Sequence, residues 1–322
     1  MPQACCIALV LIAFATALPA KAAEPYPSKP IRLIVPFPPG GLSDGLARVI
    51  GQNLSQHWAQ QVVIDNRPGA GTTLAANLAA KARPDGYTLF FQDITTHGIN
   101  AGLYRKLRYD ALRDFVAVAF ASASPLVLAI NPSLPARSVN ELVALARARP
   151  RGINYGSSGN GTILHLAGEM FNRVARVELT HVPYKGSPPA VNALVAGEVA
   201  IVFATTGSVI PQVEAGKVRA LAVTTAQRSP LMPDLPAMAE TLAGYDLMLY
   251  QGILAPAATP RAVVAKLNAQ INDIVTLPSS KESWRRLGAE PVVLSLEDSD
   301  RRYKQEVSKL TRLAVESGAR AD

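Results

Sequence analysis

Three short loops hold the residues of this chain whose types and spacing best suit chemistry: Pro38-Pro39-Gly40-Gly41, Pro68-Gly69-Ala70-Gly71 and Gly156-Ser157-Ser158-Gly159-Asn160-Gly161. Glycine lets the backbone come close to a bound molecule and turn its N–H groups toward it. A helical period follows each loop, and a helix start adds unsatisfied N–H groups and the positive end of its dipole. That combination suits an anion, and a carboxylate gains about 1.5–3 kcal/mol from each such bond. Roughly four or five bonds reach micromolar affinity, about 8 kcal/mol, once the cost of association is deducted. Any one loop is equally a tight turn between strand and helix. The first and third together make the stronger case for an anion site.

The same residues complete no enzyme motif. Gly161 precedes Thr162, where a phosphate-binding P-loop needs lysine. Asn160 stands where a nucleophile elbow beginning at Gly156 needs its second glycine. His57, His97, His165 and His181 lack metal-ligand spacing, so neither a metal site nor a cofactor is expected. His57 and His165 fall on amphipathic helical stretches and His181 in a strand, the usual places of partly buried structural imidazoles. His97 lies in the polar stretch 92–98, just past a strand's C-terminal end, where open α/β sheets hold ligands. It faces either that cleft or the core. Asp44 is either a brace in a helix's first turn or a contact for a ligand ammonium or ordered water. The rival reading is a secreted serine hydrolase using Ser157 or Ser158; it needs a general base, and no Ser-His-Asp order is recognisable.

The elements that position these loops follow from periodicity. Residues 31–37 read as a buried strand, and Leu46, Val49, Ile50 and Leu54 then recur at helical spacing. Residues 62–64 and 87–91 are further strands, separated by an alanine-rich helix ending near Arg83. Such alternation implies parallel pairing through right-handed crossovers. Residues 116–130 are long and uncharged enough to run from one sheet into another. A second series follows: a helix over 137–149, strands over 153–155, 179–183, 199–203 and 219–224, and a helix face marked by Ile163, Leu164, Ala167, Met170, Phe171 and Val174. A strand over 250–255 and helices over 260–276 and 301–315 close the chain.

The N-terminal end sets the expected compartment. Residues 5–20 form a nearly unbroken apolar run, and Ala20-Lys21-Ala22 is a small-x-small cleavage pattern. The run is short for a membrane span and suits a signal-peptide core, although no Lys or Arg precedes it. Cleavage there removes Cys5 and Cys6, which leaves no disulfide, thiol nucleophile or thiolate metal site. The composition is 49% hydrophobic, ample for cores without disulfides. A net charge of +8 permits attraction of acidic solutes. It does not point to nucleic acid, because Arg285-Arg286 and Arg301-Arg302 are isolated pairs without aromatic interleaving.

Taken in order, these motifs resemble a known family. Tyr26-Pro27-Ser28-Lys29-Pro30-Ile31-Arg32, the stretch 36–41 with Asp44 beyond it, Asn66-Arg67-Pro68-Gly69-Ala70-Gly71 and Pro84-Asp85-Gly86-Tyr87-Thr88 resemble the Bug family, the solute-binding proteins of tripartite tricarboxylate transporters. The stretches 154–162, 181–186, 216–224, 254–256 and 288–291 extend the likeness over essentially the whole chain beyond the leader. The resemblance implies an α/β type II periplasmic-binding fold, with two Rossmann-like lobes, a hinge and a central cleft. It implies a signal peptide over 1–22, one lobe from 23–123 plus 250–322, and the other from 124–249, with crossings near 121–125 and 247–252. It further implies that a ligand carboxylate meets Phe37, Gly40, Gly41 and Ser43, with Asp44 beside them. Across the cleft it implies Ser157, Gly159, Asn160, Gly161 and Thr162. Thr95, Thr96 and His97 match the loop lining the same cleft. Ala204 and Thr205 stand where family members commonly carry an acidic residue, and Leu42 where Ser or Thr is common; both favour a simple or aromatic carboxylate over an amino acid. The implied protein is a periplasmic monomer without catalytic activity, serving transporter subunits or a sensor domain transiently.

Overall fold

The computed structural model describes residues 26–316. The expected signal peptide, residues 1–22, lies outside them. The chain opens with β1 (Ile31–Val35), α1 (Leu42–Trp58), β2 (Val62–Asn66), α2 (Thr73–Ala80), β3 (Thr88–Asp93) and α3 (Ile94–Leu103). The long strand β4 (Phe115–Ile130) leads into α4 (Val139–Ala148), β5 (Asn154–Ser157), α5 (Ile163–Ala175), β6 (Thr180–Pro183), α6 (Ser187–Ala196), β7 (Ile201–Thr205), α7 (Thr206–Glu214) and β8 (Arg219–Val223). The chain then returns through β9 (Met248–Pro256), α8 (Arg261–Thr276), α9 (Pro278–Arg286), β10 (Glu290–Pro291) and α10 (Leu296–Glu316).

The strands form two lobes joined through β4, in the order β2-β1-β3-β9-β4-β7-β5-β6. Pairing is parallel within β2-β1-β3 and within β7-β5-β6, as the strand–helix alternation implies. β4 and β9 depart from that pattern and run antiparallel to their neighbours. These two strands carry the chain out of the first lobe and back, so they meet in opposite directions. β4 changes partner midway. Its residues up to Pro125 face β9, whereas Leu126 to Ile130 face β7 and β8. Proline offers no ladder N–H, which suits a point where pairing changes hands. Leu126 N donates instead to Thr224 Oγ1 at 3.1 Å.

Burial explains why the uncharged stretch can cross. Leu126, Val127, Leu128, Ala129 and Ile130 are all fully buried, so neither face tolerates a charge. Phe90, Phe115, Phe120 and Tyr303 pack together in the first lobe; Val127, Val191, Leu194 and Val202 do so in the second. Each such side chain stabilises by about 1.5–3 kcal/mol. Trp284 is fully buried, and its Nε1 donates to Ala121 O at 2.9 Å, fastening α9 to β4 beside the partner change.

Four helices escape the periodicity reading. α3 contains Thr95, Thr96, His97 and Gly98, poor helix formers that read as loop. α6 begins with two prolines, α7 contains Pro211, and α9 is short with few apolar residues. α10 starts at Leu296, earlier than the expected Arg301, because Ser295 Oγ accepts from Asp298 N and caps the first turn. No helix of the described residues is long and apolar enough to cross a membrane.

Candidate ligand-binding cleft

The C-terminal ends of β1 and β3 in one lobe and of β5 and β7 in the other converge on a single groove. Its inner part is lined by Phe37, Leu42, Ser43, Asp93, Ser158 and Thr205, among others, and holds about 570 Å³ of empty space including the mouth. An outer part is lined by Gly69, Gly71, Gly159, Asn160 and Tyr184, and shares Phe37, Pro38, Ser158 and Lys185 with the inner one. All three glycine-rich loops therefore border one cleft.

The first loop is braced from behind. Asp44, in the first turn of α1, is 3% exposed. It accepts Gly40 N at 3.0 Å, Arg48 Nε at 2.9 Å and Asn66 Nδ2 at 3.0 Å. Asn66 Nδ2 also donates to Phe37 O at 2.9 Å, so strand β2 holds the loop from both ends. Burial alone would raise the Asp44 pKa, but the bonds from Arg48, Gly40 and Asn66 outweigh it and hold the carboxyl below its ordinary value. Asp44 is thus a brace and not a surface for a ligand ammonium, and the Gly40 amide is already spent on it. Helix α1 has no side-chain cap, and the first-turn amides of Leu42 and Ser43, residues that line the cleft, have no hydrogen-bond partner among the described residues.

The third loop spends several of its groups internally. Ser157 is buried; its Oγ lies 2.6 Å from His181 Nε2 and accepts Gly159 N at 3.1 Å. Gly161 N donates to His165 Nδ1 at 3.2 Å, so this amide does not point to a ligand as the sequence implied. Thr162 caps α5, accepts from Ser158 Oγ at 2.9 Å and donates to Gly159 O at 2.8 Å. Among the described residues, the amides of Ser158 and Asn160 make no such bond, and Ser158 lines the inner cleft while Asn160 is exposed in its outer part. His181 is pushed down to about 3 by burial and by its neighbour His165, stacked at 4.1 Å, so it is neutral.

The stretch 95–97 requires correction. His97 does not face the cleft: it is fully buried, stacked on Tyr109 at 5.1 Å and edge-on to Phe115 at 4.9 Å. Burial pushes its pKa down to about 3. The helix α3 rotates it inward, a turn invisible while the segment reads as loop. Thr95 Oγ1 accepts Tyr250 N at 2.9 Å and fastens α3 to β9. Thr96 joins the lobes: its hydroxyl donates to Asp93 and accepts Ile163 N, the latter at 3.1 Å. Ala204 is buried against the Val127 cluster and does not reach the cleft, whereas the neighbouring Thr205 does.

Two polar residues of the cleft floor went unassigned. Asp93 and Gln251 sit directly opposite each other on antiparallel β3 and β9. Both are buried and line the inner cleft. Gln251 Nε2 donates to Ser43 Oγ at 2.5 Å, and its Oε1 has no partner among the described residues. Burial pushes Asp93 up to about 6 against the bonds from Thr96 and Thr95. The available signal for Gln251 was a lone amide in an otherwise apolar strand. Among the described residues no group of three or more His, Cys, Asp and Glu side chains is placed to hold a metal.

Comparison with known proteins agrees with this architecture. A family described as "Tripartite tricarboxylate transporter family receptor" matches residues 46–318. Protein BugT of Bordetella pertussis is 33% identical over 302 residues, covering 92% of each chain. Rpa4515 of R. palustris, solved with adipate, is 38% identical with a TM-score of 0.86, covering 91% of this chain and 98% of its own. MatC of Rhodopseudomonas palustris, solved with bound malate, is 30% identical with a TM-score of 0.84, covering 90% of this chain and 100% of its own. With a family match over most of its length and a two-lobed fold shared with solved members, the chain belongs to the tripartite tricarboxylate transporter receptor family, to which the Bug proteins also belong.

Proposed function

We propose that this protein captures a small organic carboxylate in the cleft and presents it to membrane components of a tripartite transporter. The observation that carries the reading is the pairing of uncapped α1 with the uncommitted Ser158 and Asn160 amides across one groove. These groups offer neutral N–H donors and a helix dipole, the chemistry a carboxylate needs. Adipate and malate in the related structures support it. Lys185 adds the only cation lining the groove among the described residues. In this reading the protein is exported to the periplasm, acts as a monomer, and closes by hinge motion where β4 and β9 cross, with the lobes divided near residues 123 and 250.

The reading excludes turnover. Ser157 and His181 are hydrogen-bonded, but Ser157 is not among the residues lining the groove, and no carboxylate among the described residues bonds His181; Ser158 does line the groove, but its hydroxyl donates to Thr162 Oγ1 and bonds no histidine among the described residues. A serine hydrolase needs its nucleophile at the substrate. Mass spectrometry of small molecules that co-purify, followed by calorimetric titration with mono-, di- and tricarboxylates, tests the proposal. A saturable one-to-one isotherm without ester hydrolysis is expected; hydrolysis of generic esters abolished by Ser157→Ala would overturn it.

A further inference from the structure

The inner end of the cleft has a chemistry opposite to that of its glycine loops. Its walls are apolar, built from Phe37, Leu42, Leu164 and Leu249. Its floor presents acceptors. Gln251 Oε1 is buried and has no partner among the described residues, and the cross-strand neighbour Asp93, whose oxygens already accept the Thr96 amide and hydroxyl, is a carboxyl only 3% exposed. Lys185, the one cation lining the groove among the described residues, is exposed at the rim, so no positive side chain is at hand to balance an anion on the floor.

From this polarity we infer that the cleft reads a ligand with two unlike ends: a carboxylate held by the loops, and a hydrogen-bond-donating hydroxyl or ammonium seated against Asp93 and Gln251. This deepens the carboxylate reading and rests on it. A second carboxylate at the floor meets a like charge in a low-dielectric pocket, which disfavours it strongly. A hydroxyl or ammonium satisfies Gln251 Oε1, whose lack of a partner is costly in a buried site. Asp93 thereby becomes a specificity-determining residue.

Two matched ligand sets test the inference by calorimetric titration of the purified protein. The first is hexanoate, 6-hydroxyhexanoate, 6-aminohexanoate and adipate; the second is benzoate, 4-hydroxybenzoate, 4-(aminomethyl)benzoate and terephthalate. In the set that binds, a hydroxy or amino member should bind at least tenfold more tightly than both the dicarboxylate and the unsubstituted acid. In Asp93→Asn, which keeps an acceptor for the α3 cap, the dicarboxylate should gain and the gap should narrow at least threefold. Thermal melts establish that the variant folds; should it not, Gln251→Leu replaces it and should weaken the hydroxy or amino ligand selectively. A dicarboxylate or unsubstituted acid binding as tightly as its donor-bearing counterparts overturns the inference while leaving the carboxylate reading intact. If no member of either set binds the folded protein, the carboxylate reading falls and takes the inference with it.

Discussion

The Thr96 hydroxyl accepts the Ile163 amide at 3.1 Å while donating to Asp93, so one side chain links the cap of α3 in one lobe to the first turn of α5 in the other. Replacing it with the near-isosteric Thr96→Val leaves the buried Ile163 amide without its partner and takes one of several bonds from Asp93, at a cost of about 1–3 kcal/mol. The variant should melt at a lower temperature and bind carboxylate several-fold more weakly. Small-angle scattering should also show less contraction on ligand addition than in the parent. Unchanged affinity and contraction would show that the link plays no part in closure.

Glycines at the lobe contact form a second test. A Cβ on Gly161, at φ +77°, would meet Asn100 Oδ1 at 2.7 Å, and one on Gly71, at φ +57°, would press on the Asn160 carbonyl. The second loop is therefore not the passive turn its sequence allowed. Gly161→Ala and Gly71→Ala should both weaken binding at least tenfold, about 1.4 kcal/mol. Gly216, at φ +68° with nothing within 4 Å, is the control for backbone strain alone. Gly216→Ala should lower the melting temperature modestly and leave titration curves unchanged.

Acid should destabilise the protein through its buried histidines. His97 and His181 are held neutral down to about 3, so the unfolded chain takes up protons first as pH falls below about 6.5. Their contribution is present above pH 6.5 and is lost as pH drops toward 3. Asp93 acts in the opposite sense: raised from 3.8 to about 6, it stabilises below 3.8 and that gain is lost as pH rises to 6. The histidine window is wider and involves two groups, so the melting temperature should fall from pH 7 to pH 4. His97→Phe keeps the stacking on Tyr109 and should flatten that dependence. An equally steep profile in the variant would place the acid sensitivity elsewhere.

Asp44→Ala should separate bracing from binding. It removes three hydrogen bonds from the back of the first loop and leaves the Gly40 amide loose. A loss of about 1–3 kcal/mol in denaturant unfolding is expected, with weaker ligand binding beside it. A stability loss under 0.5 kcal/mol, roughly the scatter of ordinary surface substitutions, would contradict the bracing role.

The strand–loop–helix order, the three glycine loops and the uncharged crossing strand were legible because glycine, proline and apolar runs act locally. The fate of individual polar groups was not. Nothing local shows that Ser157 points to His181, since that bond depends on how β5 and β6 pair, and the turn of Gly161 N back to His165 depends on the side-chain direction at the start of α5. His97 read as facing either the cleft or the core because Thr95, Thr96 and Gly98 hide the helix that rotates it inward. Asp93 and Gln251 are far apart in sequence and become neighbours only through the antiparallel pairing of β3 with β9. The antiparallel turn of that pairing was itself the part of the topology that alternation does not encode.

The most direct measurement is backbone amide NMR of the protein titrated with the carboxylate that binds it. The largest shifts should fall on the amides of Leu42, Ser43, Ser158 and Asn160, while those of Gly40 and Gly161, already bonded to Asp44 and His165, move less. Large shifts clustered instead around Arg228 and Arg302, in the separate pocket bordered by Pro125 and Met248, would contradict the placement of the ligand between the glycine loops.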